Sequence, residues 1–142
     1  MGYDERGHCP MLVEGACSIY EHRPRTCRSY DCRVFPATGV ALDDSGKELI
    51  AGRASRWRFS YPTERDEILH GAVRAAADYV RAHHHDLPEG AAPATATQLA
   101  VLAIELHRAF LDDGPGGGAV VADPGPDAVR VALSRRGATL RP

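Results

Sequence analysis

All four cysteines of this 142-residue chain lie in one short stretch near its N-terminus, residues 8–35. Seven, nine and four residues separate the consecutive cysteines, which are Cys9, Cys17, Cys27 and Cys32. Breaks in regular structure are expected throughout residues 1–36, at Pro10, Gly15, Pro24 and Pro36. This part of the chain is therefore predicted to be a loop-rich cysteine segment. It contains one predicted helical turn, residues 18–22, with Ile19 and Tyr20 packed inward.

A body of short strands and helices is predicted to follow, over residues 37–142. In residues 55–61, SRWRFSY, aromatic and polar residues alternate. This alternation predicts a half-buried strand with its aromatic rings, those of Trp57, Phe59 and Tyr61, facing the core. Residues 39–42 and 48–51 flank a turn-forming Asp-Asp-Ser-Gly sequence and predict a hairpin-like reversal.

Two amphipathic helices carry most of the predicted core. Thr63 and Asp66 have the spacing of a capping box, so a helix is predicted from Glu64 to Ala82. Thr95 or Thr97 is predicted to cap a second helix that runs through residue 111. Apolar residues recur at helical spacing in both, namely Leu69, Val73, Ala76 and Val80 in the first and Leu99, Leu102, Leu106 and Phe110 in the second.

The C-terminal region is predicted to contain a small hairpin. The sequence DDGPGGG, residues 112–118, cannot continue a helix, and two runs rich in β-branched residues follow it at residues 119–122 and 128–133. The tail after Arg135 is expected to be mobile. Together these elements predict a small α+β protein of one domain, with a cysteine segment over residues 1–36 and an α+β body over residues 37–142.

Composition and charge limit the partners and the compartment. Seventeen basic and nineteen acidic residues give a formal charge of -2, so no overall field attracts the chain to nucleic acid or to an anionic membrane. The N-terminal residues lack the apolar core of a secretory signal, and no later run reaches the roughly 18 apolar residues of a membrane helix. We therefore expect a cytoplasmic protein with no membrane partner and no nucleic-acid partner.

Clustered thiols in such a reducing compartment indicate a metal centre more often than disulfides. Four thiolates satisfy a tetrahedral zinc ion or an iron–sulfur cluster, because soft sulfur binds these metals well. The predicted ligands of zinc or iron are therefore Cys9, Cys17, Cys27 and Cys32. None of them forms a CxxC pair, so the spacing identifies neither a zinc ribbon nor a thioredoxin-like motif.

Positive charge surrounds the last two cysteines. The neighbouring basic residues would favour thiolates and offset the charge of about -2 that four thiolates leave on a zinc centre; they are Arg23, Arg25, Arg28 and Arg33. The same guanidinium groups would also favour a reactive thiolate without metal. His8 or His22 could replace one cysteine as a ligand, although each could equally be a surface histidine.

The sequences CPML and CSIYEHRPRTCR, residues 9–12 and 17–28, resemble the downstream half of the YkgJ-type cysteine-cluster family, whose members are described as zinc- or iron-chelating domains. The family pattern is CPxL, a few residues, and CSIYExRPxxCR. It is matched here by Cys9, Pro10, Leu12, Cys17, Ser18, Ile19, Tyr20, Glu21, Arg23, Pro24, Cys27 and Arg28. The resemblance implies metal chelation and does not imply a particular reaction.

The family usually has a further CxxCxxCC cluster upstream, and no cysteine precedes Cys9 in this chain. The chain is then a short form that holds one centre with four cysteines, a chain without its natural upstream part, or a motif kept only as structure. Flagellin lysine methylases carry a related cluster, so a thiol-redox or methyl-transfer enzyme with a reactive Cys27 is a second hypothesis. An interaction module is a third.

Other motifs have simpler interpretations. Adjacent helical residues point about 100° apart, so the triplet of residues 83–85, all histidine, is not expected to hold one ion, and His70 and His107 are predicted to be partly exposed. No Gly-Lys-Ser/Thr follows the glycines of residues 114–118, which predicts a connector rather than a phosphate loop. Basic and aromatic residues alternate around Trp57, as in nucleic-acid surfaces, but the negative charge and inward-facing rings favour a core strand.

Overall fold

The computed structural model of this chain describes residues 11–14, 16–22, 33–41, 51–52, 54–114 and 116–139. Its contacts divide the chain into two compact units, Met1–Asp31 and Cys32–Pro142. The expected boundary between the cysteine segment and the body, after residue 36, falls inside the second unit.

The described backbone of the first unit forms a short hairpin and a helical turn. Strands β1 (Leu12–Val13) and β2 (Ala16–Cys17) are antiparallel, with Leu12 opposite Cys17. A 3-10 turn at Tyr20–His22 confirms the predicted helical turn. Tyr20 is 63% exposed, so the prediction that it packs inward is wrong. The other residues of this turn are not buried either.

In the second unit, a short helix that the sequence did not predict, α1 (Val34–Thr38), buries Phe35 and Thr38. It ends at Gly39, where φ is 69°, a left-handed conformation that glycine adopts without strain. The buried Thr38 hydroxyl donates to the carbonyl oxygen of Val34 at 2.7 Å, so this polar group is satisfied within the helix.

The first predicted amphipathic helix is confirmed, with the predicted bounds, as α2 (Glu64–Ala82). Thr63 Oγ1 accepts a hydrogen bond from the Asp66 N–H at 3.2 Å, and Asp66 Oδ2 accepts one from the Thr63 N–H at 3.0 Å. These two bonds form the predicted capping box. They satisfy backbone donors that the first turn of a helix otherwise leaves without partners.

The second predicted helix is also confirmed, although it ends earlier than expected. Helix α3 (Ala96–Leu106) is capped by Thr95, whose hydroxyl accepts from the Gln98 N–H at 3.2 Å. A 3-10 turn, His107–Phe110, then replaces the last part of the predicted helix. The predicted stripe faces the core: Leu102, Leu106 and Phe110 are buried, and Leu99 packs against them.

Helices α2 and α3 pack against each other, and both bury small side chains in the core. Five alanines on these two helices are fully buried, at positions Ala72, Ala76, Ala77, Ala100 and Ala103. Larger residues extend the same core, including Val80 from α2 and Phe110 after α3. The core of the second unit is therefore mainly aliphatic and rich in alanine.

A hairpin in the second unit joins β3 (Leu111–Asp113) to β4 (Ala119–Val121), with Leu111 opposite Val121. The predicted pairing of residues 119–122 with residues 128–133 is wrong, because β4 pairs with the chain that leaves α3. The Gly114 N–H donates to the Gly118 carbonyl at 2.6 Å. The backbone between them has positive φ at two glycines, 93° at Gly116 and 81° at Gly117. The glycine-rich connector is thus the turn of this hairpin.

The residues predicted as the last strand instead begin helix α4 (Pro126–Thr139). Val129 and Leu133, four residues apart, are buried, whereas Val131 between them is 49% exposed. A strand would place all three on one face, so the burial follows the helical period. Proline at the first helical position suits the start of a helix. The tail after Arg135 was expected to be mobile, but the backbone of residues 136–139 continues helix α4 to its end at Thr139.

The predicted strand at residues 55–61 is wrong. Its backbone is irregular, and the three aromatic rings are exposed by 47% at Trp57, 38% at Phe59 and 40% at Tyr61. Among the described residues, both sheets are hairpins formed elsewhere in the chain. Alternation directs side chains to a core only where a neighbouring strand fixes the register, and this segment has no such neighbour in the described structure.

The described residues combine helices with two antiparallel two-stranded sheets, so the predicted α+β class is confirmed. The predicted reversal between residues 39 and 51 falls largely on residues 42–50, outside the described part of the chain. None of the described helices combines the length and the apolar character required to cross a membrane.

Candidate metal centre

Of the four predicted metal ligands, Cys17 is the one that lies within the described residues. It ends β2, opposite Leu12, and its side chain is partly buried. Its thiol forms no disulfide. The other three predicted ligands, Cys9, Cys27 and Cys32, lie outside the described residues. The structure therefore describes one of the four predicted ligands.

The backbone next to Cys17 is fixed by Ser18. The Met11 carbonyl oxygen accepts hydrogen bonds from both the Ser18 N–H, at 2.9 Å, and the Ser18 hydroxyl, at 3.0 Å. At the turn of the same hairpin, Glu14 has a φ of 50°. Ser18, the serine of the CSIYE sequence, thus has a structural role, because its two hydrogen bonds tie the chain just after Cys17 to Met11 at the start of the hairpin.

The segment after Ser18 turns sharply and places polar side chains in solvent. The His22 N–H donates to the Ile19 carbonyl at 2.9 Å and closes the 3-10 turn. Glu21 and His22 are exposed, while Ile19 is half-buried. In the described ranges, no three His, Cys, Asp or Glu side chains form a group that could hold a metal. Three predicted cysteine ligands are not in those ranges, so the four-cysteine centre stays a prediction.

Arg33 is the member of the predicted arginine group that the structure describes. Its Cζ lies 5.9 Å from the centroid of the Trp57 ring, a separation typical of a cation–π interaction. Arg23, Arg25 and Arg28 lie outside the described residues.

The three consecutive histidines each have their own structural contacts. The His83 ring stacks on Tyr79, with centroids 4.1 Å apart, and its Nδ1 donates to the Tyr79 carbonyl at 3.0 Å. His84 Nε2 donates to the Pro93 carbonyl at 2.9 Å. The His85 ring meets the edge of His84, with centroids 5.3 Å apart. These contacts close the C-terminal end of α2 onto the loop that follows it.

His70, predicted to be partly exposed, is half-buried and joins three parts of the second unit. Its Nε2–H donates to the Ala37 carbonyl at 2.8 Å, and its Nδ1 accepts a short hydrogen bond from the Tyr61 hydroxyl. Phe59 packs against the same imidazole, with ring centroids 4.7 Å apart. His107 is also half-buried, and its Nδ1–H donates to the carbonyl of Ile104, one turn earlier.

The described residues of the second unit line two grooves that no sequence pattern predicted. One, of about 300 Å³, is lined by Tyr79, His83, Asp86, Leu87, Pro88, Pro126, Val129, Arg130 and Leu133. The other, of about 340 Å³, is lined by Phe35, Pro36, Gly39, Val40, Ala41, Ala51, Ala54 and Ser55. Each groove joins segments that are distant in sequence, so local spacing carries no signal for it.

Comparison with known proteins adds no relative to these observations: no family model, curated protein or solved structure matches this chain. The resemblance to the YkgJ-type family is carried by the quoted residues alone and stays a prediction.

Proposed function

We propose that this chain binds a metal ion or an iron–sulfur centre through Cys9, Cys17, Cys27 and Cys32. The observation that carries the proposal is the confinement of all four cysteines to the N-terminal stretch. Four thiolates complete the coordination of zinc or of an iron–sulfur cluster. The resemblance of the same stretch to a chelating family supports the same function.

The surroundings of Cys17 fit a ligand role. Its thiol is not consumed by a disulfide and is partly accessible. The double hydrogen bond from Ser18 to Met11 holds the backbone beside it, and a ligand whose backbone is already held loses less conformational freedom on binding. Arg33 is near the same cluster in sequence, and a guanidinium group favours the thiolate that a metal requires.

The coordination number decides what the centre does. Four protein thiolates around zinc form a closed, structural site, whereas an iron–sulfur cluster held by four thiolates transfers electrons. A ligand position occupied by water would instead permit catalysis by polarising a bound substrate.

The test is anaerobic purification of the full chain, followed by elemental analysis, visible absorption and thiol titration. We expect stoichiometric zinc or iron, with visible absorption only if iron and sulfide are present. Cys17→Ser and Cys27→Ser should each lower the metal content strongly and expose the remaining thiols to titration. His22→Gln is the matched control, because its exposed imidazole is not needed when four thiolates complete the site.

Two results would contradict the proposal. The first is metal-free protein with four ordinary thiols, which would leave the thiol-enzyme and interaction-module hypotheses. The second is an unchanged metal content in each of the single-site cysteine-to-serine variants, because the metal would then be bound elsewhere.

A further inference from the structure

We propose that the exposed arginines and aromatic rings of residues 55–61, namely Arg56, Trp57, Arg58, Phe59 and Tyr61, bind single-stranded nucleic acid together with Arg33, which lies over the Trp57 ring. The proposal concerns the second unit alone and does not depend on the metal centre. The sequence argued against a nucleic-acid partner in part because these rings were expected to face the core. All three rings are exposed instead, which removes that reason.

The two rings nearest α2 are held in place while they remain accessible. Phe59 and Tyr61 both pack against His70, with ring centroids 4.7 Å and 5.5 Å away. The Tyr61 hydroxyl donates to His70 Nδ1, and His70 in turn is tied to Ala37. A ring that is already fixed loses little conformational entropy when a base stacks on it.

The third ring, Trp57, combines an accessible indole with positive charge. Arg33 lies over it at 5.9 Å, and nearly half of the Trp57 surface is exposed. One guanidinium nitrogen of Arg58 donates to the carbonyl oxygens of Ser55, at 2.9 Å, and of Trp57, at 3.1 Å. Arg58 thereby fixes the turn that presents the indole, and its other guanidinium nitrogens are not used in those two bonds.

This chemistry favours unpaired nucleotides over other partners. Bases stack on exposed aromatic rings, and arginines between the rings meet the phosphates. No acidic residue occurs between Ser55 and Tyr61. Acidic residues follow in the first turn of α2, where the Asp66 carboxylate accepts hydrogen bonds from the Thr63 N–H and hydroxyl. A duplex hides its base faces, so it would offer phosphates to the arginines but nothing to the rings.

The experiment uses the full chain and a fluorescently labelled oligothymidylate of about twelve nucleotides. Trp57 is the only tryptophan, so its fluorescence reports stacking directly, while anisotropy of the label reports binding. We expect saturable binding, quenching of Trp57, and a log–log salt slope of about -2, from about three phosphate contacts at 0.7 each. A duplex of the same length should bind more weakly.

Variants separate stacking from charge. Trp57→Ala should weaken binding at least about fivefold, the lower end of what one base stack supplies. Arg56→Ala should reduce the magnitude of the salt slope by about 0.7. Arg108→Ala, which removes an exposed arginine from the 3-10 turn after α3, is the matched control and should change neither quantity. All three positions are exposed, and far-ultraviolet circular dichroism checks that each variant folds.

Three outcomes would overturn the proposal. One is the absence of an anisotropy change with the oligothymidylate. Another is binding that Trp57→Ala and Arg56→Ala leave unchanged. The third is equal affinity for the duplex and for the single strand, which would show a general polyanion contact without base stacking.

Discussion

Val121 Cγ2 occupies the space into which a side chain at Gly71 would project, because a Cβ at position 71 would lie 3.0 Å from it. Gly71 is in the interior of α2, and Val121 ends β4, so this contact is where the hairpin approaches the helix. Glycine costs a helix interior about 1 kcal/mol relative to alanine. Gly71 therefore leaves room for the hairpin to approach α2, although glycine lowers the stability of the helix.

We expect Gly71→Ala to change the free energy of unfolding little in the native sequence, because the gain in helix propensity is offset by crowding against Val121. In a Val121→Ala background, which removes Cγ2, the same change should stabilise the protein by about 1 kcal/mol. Urea unfolding followed by circular dichroism measures all four proteins of this double-mutant cycle. Equal effects of Gly71→Ala in both backgrounds would show that the two residues are not coupled.

The turn of the second hairpin should depend on Gly114 and not on Gly118. A Cβ at Gly114 would lie 2.6 Å from Val120 Cγ1 and 2.9 Å from the Gly118 carbonyl oxygen, whereas a Cβ at Gly118 would meet nothing within 4 Å. Gly114→Ala is expected to destabilise the protein by about 1–3 kcal/mol through this overpacking. Gly118→Ala should stay within about 0.5 kcal/mol. Thermal or urea unfolding measures both variants, and an equal loss of stability in the two would contradict the prediction.

The N-terminus of α3 has two neighbouring threonines, of which one is its cap. Thr95 Oγ1 accepts from the Gln98 N–H, while Thr97 lies inside the helix and is exposed. Thr95→Ala should cost about 1 kcal/mol, the usual value of a lost cap. Thr97→Ala should be neutral or slightly stabilising, because alanine has the higher helix propensity. If urea unfolding showed a larger loss of stability for Thr97→Ala than for Thr95→Ala, Thr97 would be the cap instead.

Two histidines are expected to have opposite neutral tautomers. His70 Nε2 faces the Ala37 carbonyl and must carry the proton, whereas His107 Nδ1 faces the Ile104 carbonyl and must carry it. Nitrogen-15 chemical shifts of the two rings, recorded where both are neutral, distinguish these forms. Tyr61→Phe should leave the His70 tautomer unchanged and cost about 1 kcal/mol through the lost hydroxyl bond. A shared tautomer at both rings would contradict this hydrogen-bond assignment.

Elements that carry their own local signals were predictable from the sequence. Helix α2 has both a capping box and an apolar stripe, and its bounds followed from these two signals alone. Helix α3 has a cap and a stripe as well, but its end was misplaced. Leu111 directly follows the last residue of the apolar stripe, yet it pairs with Val121 in a strand, and the helical pattern carries no signal for that pairing.

The errors arose where one pattern fits two structures. Residues 128–133, AVRVAL, alternate like a strand, but Val129 and Leu133 also have helical spacing, and tertiary packing selects the helix. The rings of residues 57–61 alternate in the same way without a partner strand. Asp112 and Asp113 pair with β4 although aspartate is depleted in strands, so composition gave no sign of β3.

For the candidate metal centre, the sequence and the structure contribute different information. The sequence identified its four cysteines by type and clustering, and the structure adds the local geometry of Cys17. The hydrogen bonds from Ser18 to Met11 are not contained in any spacing rule. The same is true of the links from Tyr61 to His70 and on to Ala37, since each partner belongs to a different element.

The interface between α2 and α3 has a consequence for divergence of the sequence. The two helices bury alanines at positions 72, 76, 77, 100 and 103, and helices that pack through small residues can approach closely. A larger side chain at any of these fully buried positions would overpack the core. Substitution there is confined to residues of similar volume, so these positions form a sequence fingerprint. Distant relatives with the same helix pair would be recognisable by it after the remaining identity has decayed.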